Sequence, residues 1–244
     1  MADKILKFGD YTFPEGLSVG SISAGARVNK SEIPGRPGVH IGPRVIGEKM
    51  VKLEGVIWSD DLRSTMDALQ SALAVGKAQL YVEDDRYIRA VCEDFTHDYD
   101  PGAFQDWVNV QLGFTADPPF WVSETEQTQQ WDAPSTSVSI TQTAGNVYVE
   151  PIIEVKFATS GNVDLDLGIG TAASCSLIGA VTADLVVQLD CEAKTVLTAG
   201  GVDKMALFEG TFPRLEPDDT TLFYAHNSGP ALSYIKLIWR ARWY

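Results

Sequence analysis

The chain has 244 residues, of which 33 are acidic and 19 are basic, and its formal net charge is −14. This charge argues against a protein that binds nucleic acid by neutralising phosphates. The 45% hydrophobic and 21% charged residues are ordinary for a folded globular protein, and the length suits two domains better than one core. No apolar run approaches the roughly 20 residues that span a bilayer, and residues 1–10 lack the apolar region of a signal peptide. We therefore expect no membrane insertion, and a protein that stays in the cytoplasm until it is assembled into something larger.

The N-terminal segment predicts short strands followed by a projecting arm. Residues 5–8 and 11–13 have the pattern of strands around a turn, and residues 17–28 form a longer extended run. Residues 33–47, IPGRPGVHIGPRVIG, hold three prolines and four glycines, a density that excludes the interior of a sheet or a helix. We predict a protruding loop or hairpin arm at 33–47, of the kind that contacts partners. The alternative is merely a long loop.

One helix is predicted in the first half. Residues 48–58 resume the strand pattern, with a bulge expected at Gly55. Ser59 or Asp60 is expected to cap a helix that ends near Gly76. Its apolar residues recur at helical spacing on one face, which predicts core packing across a sheet; they are Leu62, Met66, Leu69 and Leu73.

Three further strands complete the first domain. Residues 78–82 and 87–95 are predicted to form a hairpin around an acidic turn. Residues 108–114 alternate apolar and polar, which is typical of a half-buried strand. The sequence Asp117-Pro118-Pro119 then ends the pairing, because proline has no amide hydrogen to donate. We predict a domain boundary directly after it, so that the first domain spans residues 1–123.

The second half is predicted to contain only strands. Residues 124–137 are rich in Glu, Gln, Ser and Thr and are interpreted as a linker. Beyond them, apolar runs separated by Gly, Asn and Asp turns indicate a β-sandwich over residues 138–244. The predicted strands are 138–142, 147–157, 163–167, 172–178, 184–190, 195–197, 205–208, 220–226 and 233–243.

Charge is unevenly distributed in the first domain. Residues 27–52 carry six basic residues against two acidic ones, a balance of +4, whereas residues 83–106 carry eight acidic residues against two basic ones, a balance of −6. Opposite patches suit head-to-tail packing around a closed ring; the alternative is two solvated faces. The candidates for partner contact are Arg27, Lys30, Arg36, His40, Arg44 and Lys49. The candidates for a channel lining or ring interface are Glu83, Asp84, Asp85, Glu93 and Asp94.

Residues that carry catalysis form no recognisable pattern. The three cysteines show no C-x-x-C spacing and are interpreted as core residues, and the three histidines are too far apart to predict a zinc site. There is no G-x-S-x-G elbow and no phosphate-binding loop. Acidic pairs such as residues 60–61 fall at turns or at a helix start, where capping and solvation explain them. We expect no enzymatic activity, no metal site and no cofactor.

Several segments in order resemble the distal tail protein (Dit) family of long-tailed siphophages, a component of the tail tip or baseplate hub. In the first half these are KLEGVIW at 52–58, the single helix, DDRY at 84–87 and GFTADPPFW at 113–121. In the second half they are NVYVEPIIEV at 146–155, LDCE at 189–192 before TV at 195–196, and FPRLEP at 212–217. The resemblance covers nearly the whole chain and rests on the order and spacing of short motifs. EPDD at 216–219 departs from it, because a glycine-asparagine turn is commoner there in the family.

The resemblance implies a mainly β fold, with an N-terminal split β-barrel or sandwich that carries one α-helix and an arm, and a C-terminal galectin-like β-sandwich. It implies a homo-hexameric ring in the virion, between the tail tube above and the tail-tip hub below, offering a platform for receptor-binding proteins or fibres. DNA would pass through the ring without specific binding. The galectin-like fold does not by itself establish sugar binding.

Two other classes of function remain open at this point. A carbohydrate-binding accessory module needs exposed aromatic residues on one sheet face of the second domain, for which Tyr148, Phe223 and Tyr224 are the plausible set. A cell-wall glycosidase needs two carboxylates that converge in a cleft, and no spacing here demands such a pair.

Overall fold

The structure is a computed structural model, and its described residues are 6–32, 39–83, 85–100, 106–132, 138–141, 144–169, 172–217, 219–226 and 229–244. The chain divides into two compact units. The first unit comprises Met1–Val122 with Tyr244, and the second comprises Ser123–Trp243. Both are built mainly of antiparallel strands, and none of the sheets formed by the described residues closes into a barrel. The predicted mainly β fold class with one α-helix is confirmed.

The first unit is one antiparallel sheet with a helix against it. The elements are β1 (Lys7–Phe8), β2 (Tyr11–Thr12), β3 (Leu17–Glu32), β4 (Val39–Trp58), α1 (Leu62–Leu73), β5 (Ala78–Glu83), β6 (Arg86–His97), β7 (Trp107–Ala116) and β8 (Trp121–Ser123). The strand order is β2-β1-β5-β6-β7-β4-β3, with β8 beside β6. Strand β3 therefore lies at the edge of the sheet.

Strands β3 and β4 continue past the sheet as a two-stranded ribbon. Strand β4 pairs with β7 only from Lys49 to Trp58, whereas its earlier residues pair with β3 from Ala26↔Ile46 to Glu32↔Val39. We call residues 26–32 and 39–46 the β3–β4 ribbon; the connection 33–38 lies outside the described residues. The predicted arm at 33–47 therefore includes strand at 39–47. Proline is tolerated there because Pro43 falls at a shift in the pairing register and no third strand needs its amide.

Helix α1 packs its predicted apolar face into the core of the first unit. Leu62, Met66 and Leu69 are buried, and Leu73 packs at the edge of the same cluster. The predicted cap was one or two residues too early. Asp61 is the N-cap, and its Oδ1 accepts the Ser64 amide hydrogen bond at 3.0 Å. The Ser59 Oγ instead accepts a hydrogen bond from the Asp61 amide at 3.2 Å, so the side chains of Ser59 and Asp61 both contribute to the helix start.

The second unit is a sandwich of two five-stranded sheets. One sheet has the order β10-β17-β12-β13-β16 and the other has β15-β14-β11-β18-β9. Apolar side chains that alternate along the strands, such as Ile153, Val155 and Phe157 on β11, meet between the sheets. The elements are β9 (Gln127–Asp132), β10 (Val138–Thr141), β11 (Ile152–Phe157), β12 (Gly161–Ile169), β13 (Ala172–Val181), β14 (Val186–Asp190), β15 (Thr195–Thr198), a 3-10 turn (Met205–Leu207), β16 (Phe208–Gly210), β17 (Asp219–His226), β18 (Leu232–Trp239) and β19 (Arg242–Trp243).

Two local expectations differ from the structure. The segment predicted as a linker at 124–137 contains β9, which pairs with β18 over six residues at a sheet edge. Its composition is polar because one face of the strand meets water, while Trp131 packs against the core. The strand predicted at 205–208 is instead a 3-10 turn that runs into β16. The turn forms because Asp203 Oδ1 accepts the Met205 amide at 2.7 Å, an arrangement that competes with extended structure.

The N-cap of α1 yields a stability prediction. Asp61→Ala removes the acceptor of the Ser64 amide, so the free energy of unfolding should fall by about 1 kcal/mol. Asp60→Ala is the matched control, because Asp60 is the exposed neighbour outside the cap, and it should change stability by less than about 0.5 kcal/mol. Urea denaturation of the full chain measures both. Equal effects of the two substitutions would contradict the assignment of the cap.

Candidate assembly surface

The sheet of the first unit has one buried face and one exposed face. Along β7, alternate residues such as Val108 and Leu112 are buried in the core, whereas Asn109 and Gln111 between them are exposed. This alternation follows from the period of two in a strand. Because pairing partners share a face, the register places the members of the exposed face, which we call the open face. They are Met50, Lys52, Glu54 and Trp58 on β4, Trp107, Asn109, Gln111, Gly113 and Thr115 on β7, and Glu93, Asp94 and Thr96 on β6.

The open face carries acidic residues fixed by their neighbours. Glu93 Oε2 accepts a hydrogen bond from the Thr115 hydroxyl at 2.7 Å. Asp94 pairs with Gly113, which in turn pairs with Lys52. A Cβ atom at Gly113 would lie 3.0 Å from the Asp94 Cβ atom, so glycine is what leaves room for this carboxylate to lie across β7. The result is an exposed sheet face that carries several carboxylates and one lysine, Lys52.

The acidic candidates from the sequence fall in two places. Glu93 and Asp94 belong to the open face, as described. Glu83 and Asp85 lie at the turn between β5 and β6, where Arg86 contacts their carboxylates at 3.9 and 3.7 Å. Asp84 lies outside the described residues. The turn is thus partly neutralised, whereas the open face keeps more of its negative charge.

Of the basic candidates for partner contact, Lys49 differs from the others because its side chain is buried. Its side chain is only 4% exposed, and its Nζ lies 5.3 Å from the ring centre of Trp121 and 5.1 Å from that of Tyr244. Burial lowers the pKa of Lys49, and the two aromatic rings offset part of the cost of desolvating its charge. Lys49 is therefore a core contact of its own unit and is not available for a partner, which corrects the expectation from the sequence.

The other basic candidates lie on the β3–β4 ribbon or in its connection. Arg27, Lys30, His40 and Arg44 occupy paired backbone positions of the ribbon, and their side chains fall outside the described part of the structure. Arg36 lies in the connection, outside the described residues. The backbone register thus gathers four of the six candidates on one projecting element.

A pair of exposed tryptophans was not predicted from the sequence. Trp58 on β4 and Trp107 on β7 are cross-strand partners, and they form the last residue pair of these two strands on the open face. Their ring centres are 6.3 Å apart. The signal was present, since each tryptophan directly adjoins a buried residue, Ile57 or Val108. The period of a strand then turns the tryptophan to the opposite face.

One face of the second unit carries a hydrogen-bonded polar group. Glu154 accepts hydrogen bonds from the Tyr234 hydroxyl and from Gln188 Nε2, the latter at 2.8 Å. Burial acts to raise the pKa of Glu154, but these two hydrogen bonds outweigh it and the pKa is lowered. The hydrogen bond to Glu154 also raises the pKa of Tyr234 to about 12. These hydrogen bonds favour the ionised form of the Glu154 carboxylate.

Within the described residues, the aromatic side chains considered for sugar binding do not form an exposed binding surface. The Tyr148 ring is covered by the Arg214 guanidinium, whose central carbon lies 4.9 Å from the ring centre. Phe223 and Tyr224 lie on β17 where only the backbone is described. The carbohydrate-binding hypothesis therefore gains no geometric support in the described part of the second unit.

The described cysteines and potential metal ligands form no reactive site. No group of three or more His, Cys, Asp or Glu side chains within the described ranges is arranged to hold a metal ion. Cys175 and Cys191 are buried and all three cysteines are free thiols. Burial raises the pKa of Cys92 to about 11 and that of Cys175 to about 12, so these thiols are poor nucleophiles at neutral pH. No helix in the described part of the chain is long and apolar enough to cross a membrane.

Comparison with known proteins shows a shared fold. The chain matches no protein-family model and no curated protein sequence. Among solved structures, it is similar to the Dit protein of phage SPP1, described as a paradigm of the hub adsorption apparatus in phages that infect Gram-positive bacteria. The TM-score is 0.75 at 18% sequence identity, over 98% of both chains. A likeness to a chain of the phage P2 baseplate covers 97% of this chain and 91% of that one at 9% identity, but its TM-score of 0.49 does not establish a shared fold.

The Glu154–Tyr234 hydrogen bond predicts a distinctive alkaline titration. The folded pKa of Tyr234, about 12, lies above the usual value of about 10. The stabilisation from this group is therefore present below about pH 10 and is lost as the pH rises towards 12. Phenolate absorbance at 295 nm follows tyrosine ionisation as the pH rises. The difference in this absorbance between the wild type and Tyr234→Phe should show one tyrosine that ionises near pH 12. Glu154→Gln should move this transition back towards pH 10, and an unmoved transition would contradict the assigned hydrogen bond.

Proposed function

We propose that this chain is a structural protein of a phage tail, which forms a ring at the distal end of the tail and joins the tail tube to the tail-tip hub. The observation that carries the proposal is the fold shared with the SPP1 Dit protein across 98% of both chains. The match spans both units, so it is more than the likeness of one common β domain. A shared fold does not itself fix function, and the surfaces of this chain supply the remaining support.

Three surfaces of the first unit suit a ring of identical copies. Among the described strands, β3 lies at one edge of the sheet. The β3–β4 ribbon projects beyond that sheet, and the open face is exposed and carries several charged residues. The ribbon is basic in sequence, whereas residues 83–106 are acidic. Opposite charges on different parts of one unit favour a heterologous, head-to-tail contact, and such contacts close into a ring when the rotation permits. We propose a homo-hexamer.

In this proposal the ring is passive and its partners are other tail proteins. The tail tube lies above it and the tail-tip hub below it, and receptor-binding proteins or fibres attach to the platform. The protein is made in the host cytoplasm and ends in the virion. It acts without catalysis and without a cofactor, and its role is to hold partners and leave a channel.

The open face is the proposed lining of the channel. Glu54 projects there from β4, and Glu93 and Asp94 project from β6 on the other side of β7. The turn at Glu83 and Asp85 is the weaker candidate because Arg86 contacts it. A negative wall repels the DNA phosphates, so that the duplex slides without adhering. Screening confines this repulsion to about 8 Å at physiological ionic strength, so only residues at the wall contribute.

The location of the protein tests the proposal directly. Antibodies against the full chain should label the tip of the tail in electron micrographs of purified virions, and native mass spectrometry of the chain should detect hexamers. The ribbon should be needed for assembly, so deletion of residues 35–42 should leave the protein folded while tails fail to form. Labelling of the capsid, or absence of the chain from virions, would overturn the proposed function.

The charge of the open face gives a second test. Glu93→Lys with Asp94→Lys should make the channel attract phosphate, so DNA ejection should slow at low salt and recover as salt rises. The matched control is Glu15→Lys with Asp67→Lys, two exposed residues of the first unit outside the open face, with the same change in net charge. Equal ejection by both variants would remove these residues from the channel wall. Loss of assembled rings in the first variant alone would place them at a subunit contact instead.

A further inference from the structure

The tryptophan pair at the end of the open face has an unusual exposure. Trp58 is 67% exposed and Trp107 is 41% exposed, and they lie side by side as cross-strand partners. Tryptophan side chains bury most of their surface on average, and they are enriched where protein interfaces place their binding energy. Two of them adjacent on a sheet face, opposite the core, indicate a surface that a partner covers.

Three exposed carboxylates lie close to this pair in the sequence or in the strand register. Asp60 and Asp106 each lie one or two residues from a tryptophan, and the backbone hydrogen bond from Ser59 N–H to Asp106 O, at 3.0 Å, holds the two segments together. Asp98 is held by Asn109, which lies two residues beyond Trp107 on β7. Asn109 donates its side-chain amide to Asp98 Oδ2 at 2.6 Å and its backbone amide to Asp98 Oδ1 at 2.8 Å. All three carboxylates are exposed. We call Trp58 and Trp107, with Asp60, Asp98 and Asp106, the tryptophan patch.

The chemistry of this patch selects a cationic partner. Arginine and lysine bind the faces of tryptophan rings through cation–π contacts, and arginine also forms paired hydrogen bonds with carboxylates. A surface that combines both groups is matched by a segment with basic side chains. A neutral or acidic segment would leave the carboxylates unpaired at the interface.

The chain itself contains such a segment. Residues 26–46, which include the β3–β4 ribbon, hold four basic residues and one acidic residue, within a chain of net charge −14. The ribbon leaves the sheet at the Lys49 end of β4, and the tryptophan patch lies at the Trp58 end. Nine residues of strand separate the two ends, a distance of about 30 Å. A ribbon that projects away from one end cannot reach the other end of its own strand.

We propose that the tryptophan patch is the docking site for the β3–β4 ribbon of a second copy of this chain. The contact is heterologous, since the ribbon of one copy meets the patch of the next, and each copy keeps one free ribbon and one free patch until the assembly closes. This inference rests on the proposed function in that it assigns the ring contact to named residues. It also holds for any head-to-tail assembly of the chain, which allows a separate test.

Three variants of the full chain form the first part of the test, read by sedimentation and native mass spectrometry over a range of concentrations. Trp58→Ala with Trp107→Ala should raise the concentration needed for assembly by at least about 30-fold, as expected for loss of two central aromatic contacts. Arg27→Glu with Arg44→Glu should have a similar effect, strongest at low salt. Val75→Ala with Val202→Ala is the control, since these side chains are at least as exposed as Trp107 but lie outside the patch, and it should assemble as the wild type does.

Mixing the two impaired variants forms the second part. The tryptophan variant keeps its ribbon and the arginine variant keeps its patch, so an equimolar mixture has one intact junction per pair and should form dimers and nothing larger. Dimers in the mixture support the docking site even if the wild-type assembly is not a hexamer or is absent from virions, which separates this result from the proposed function.

Three results would overturn the inference. They are unimpaired assembly of the tryptophan variant, a mixture that remains monomeric, and wild-type protein that stays monomeric at every concentration. Tryptophan fluorescence gives the outcome for a rival ligand. A spectral change on adding soluble N-acetylglucosamine oligomers, lost in the tryptophan variant and without self-association, would assign the patch to a saccharide instead of a second copy.

Discussion

The uninterrupted pairing of β4 with β7 is the constraint on which the first unit depends. Ten consecutive residue pairs, from Lys49↔Ala116 to Trp58↔Trp107, run without a register shift. A slip of one residue would send Leu53 and Val108 to the solvent and the charged residues into the core. The register therefore fixes at once which face receives α1, which face stays open, where the ribbon leaves the sheet and where the tryptophan pair lies.

Much of this fold could be predicted because its signals are local. The alternation along β7 and the helical spacing of Leu62, Met66 and Leu69 depend only on neighbours in sequence, and the structure confirms both. Strand β9 escaped prediction because only Trp131 among its six residues packs against the core. A polar strand at a sheet edge has the composition of a linker, and only its pairing with β18 distinguishes the two.

The candidate surface was harder to predict, since charge in a sequence does not show whether a side chain meets water. Lys49 was grouped with the ribbon because of its position, but it lies between aromatic rings of residues 121 and 244, which are distant in sequence. Arg242 is a similar case in the second unit, because it is buried and its guanidinium contacts the carboxylates of Glu192 at 2.7 Å and Glu150 at 3.6 Å. The tryptophan pair was missed for the converse reason. A large aromatic residue in a strand is expected inside, although the buried neighbours Ile57 and Val108 turn these two to the opposite face.

The shared fold at 18% identity to the SPP1 Dit protein is compatible with the way a core is specified. Core positions need only apolar residues of suitable volume, and such positions tolerate wide substitution. Contacts between copies depend on particular side chains, so they must be inferred from the residues of this chain. In the proposed assembly the ribbon and the tryptophan patch lie at opposite ends of β4, so the β4–β7 pair would set the distance and the direction between successive contacts. Docking at the Trp58 end would leave the rest of the open face uncovered, so that one sheet could join copies and line the proposed channel at the same time.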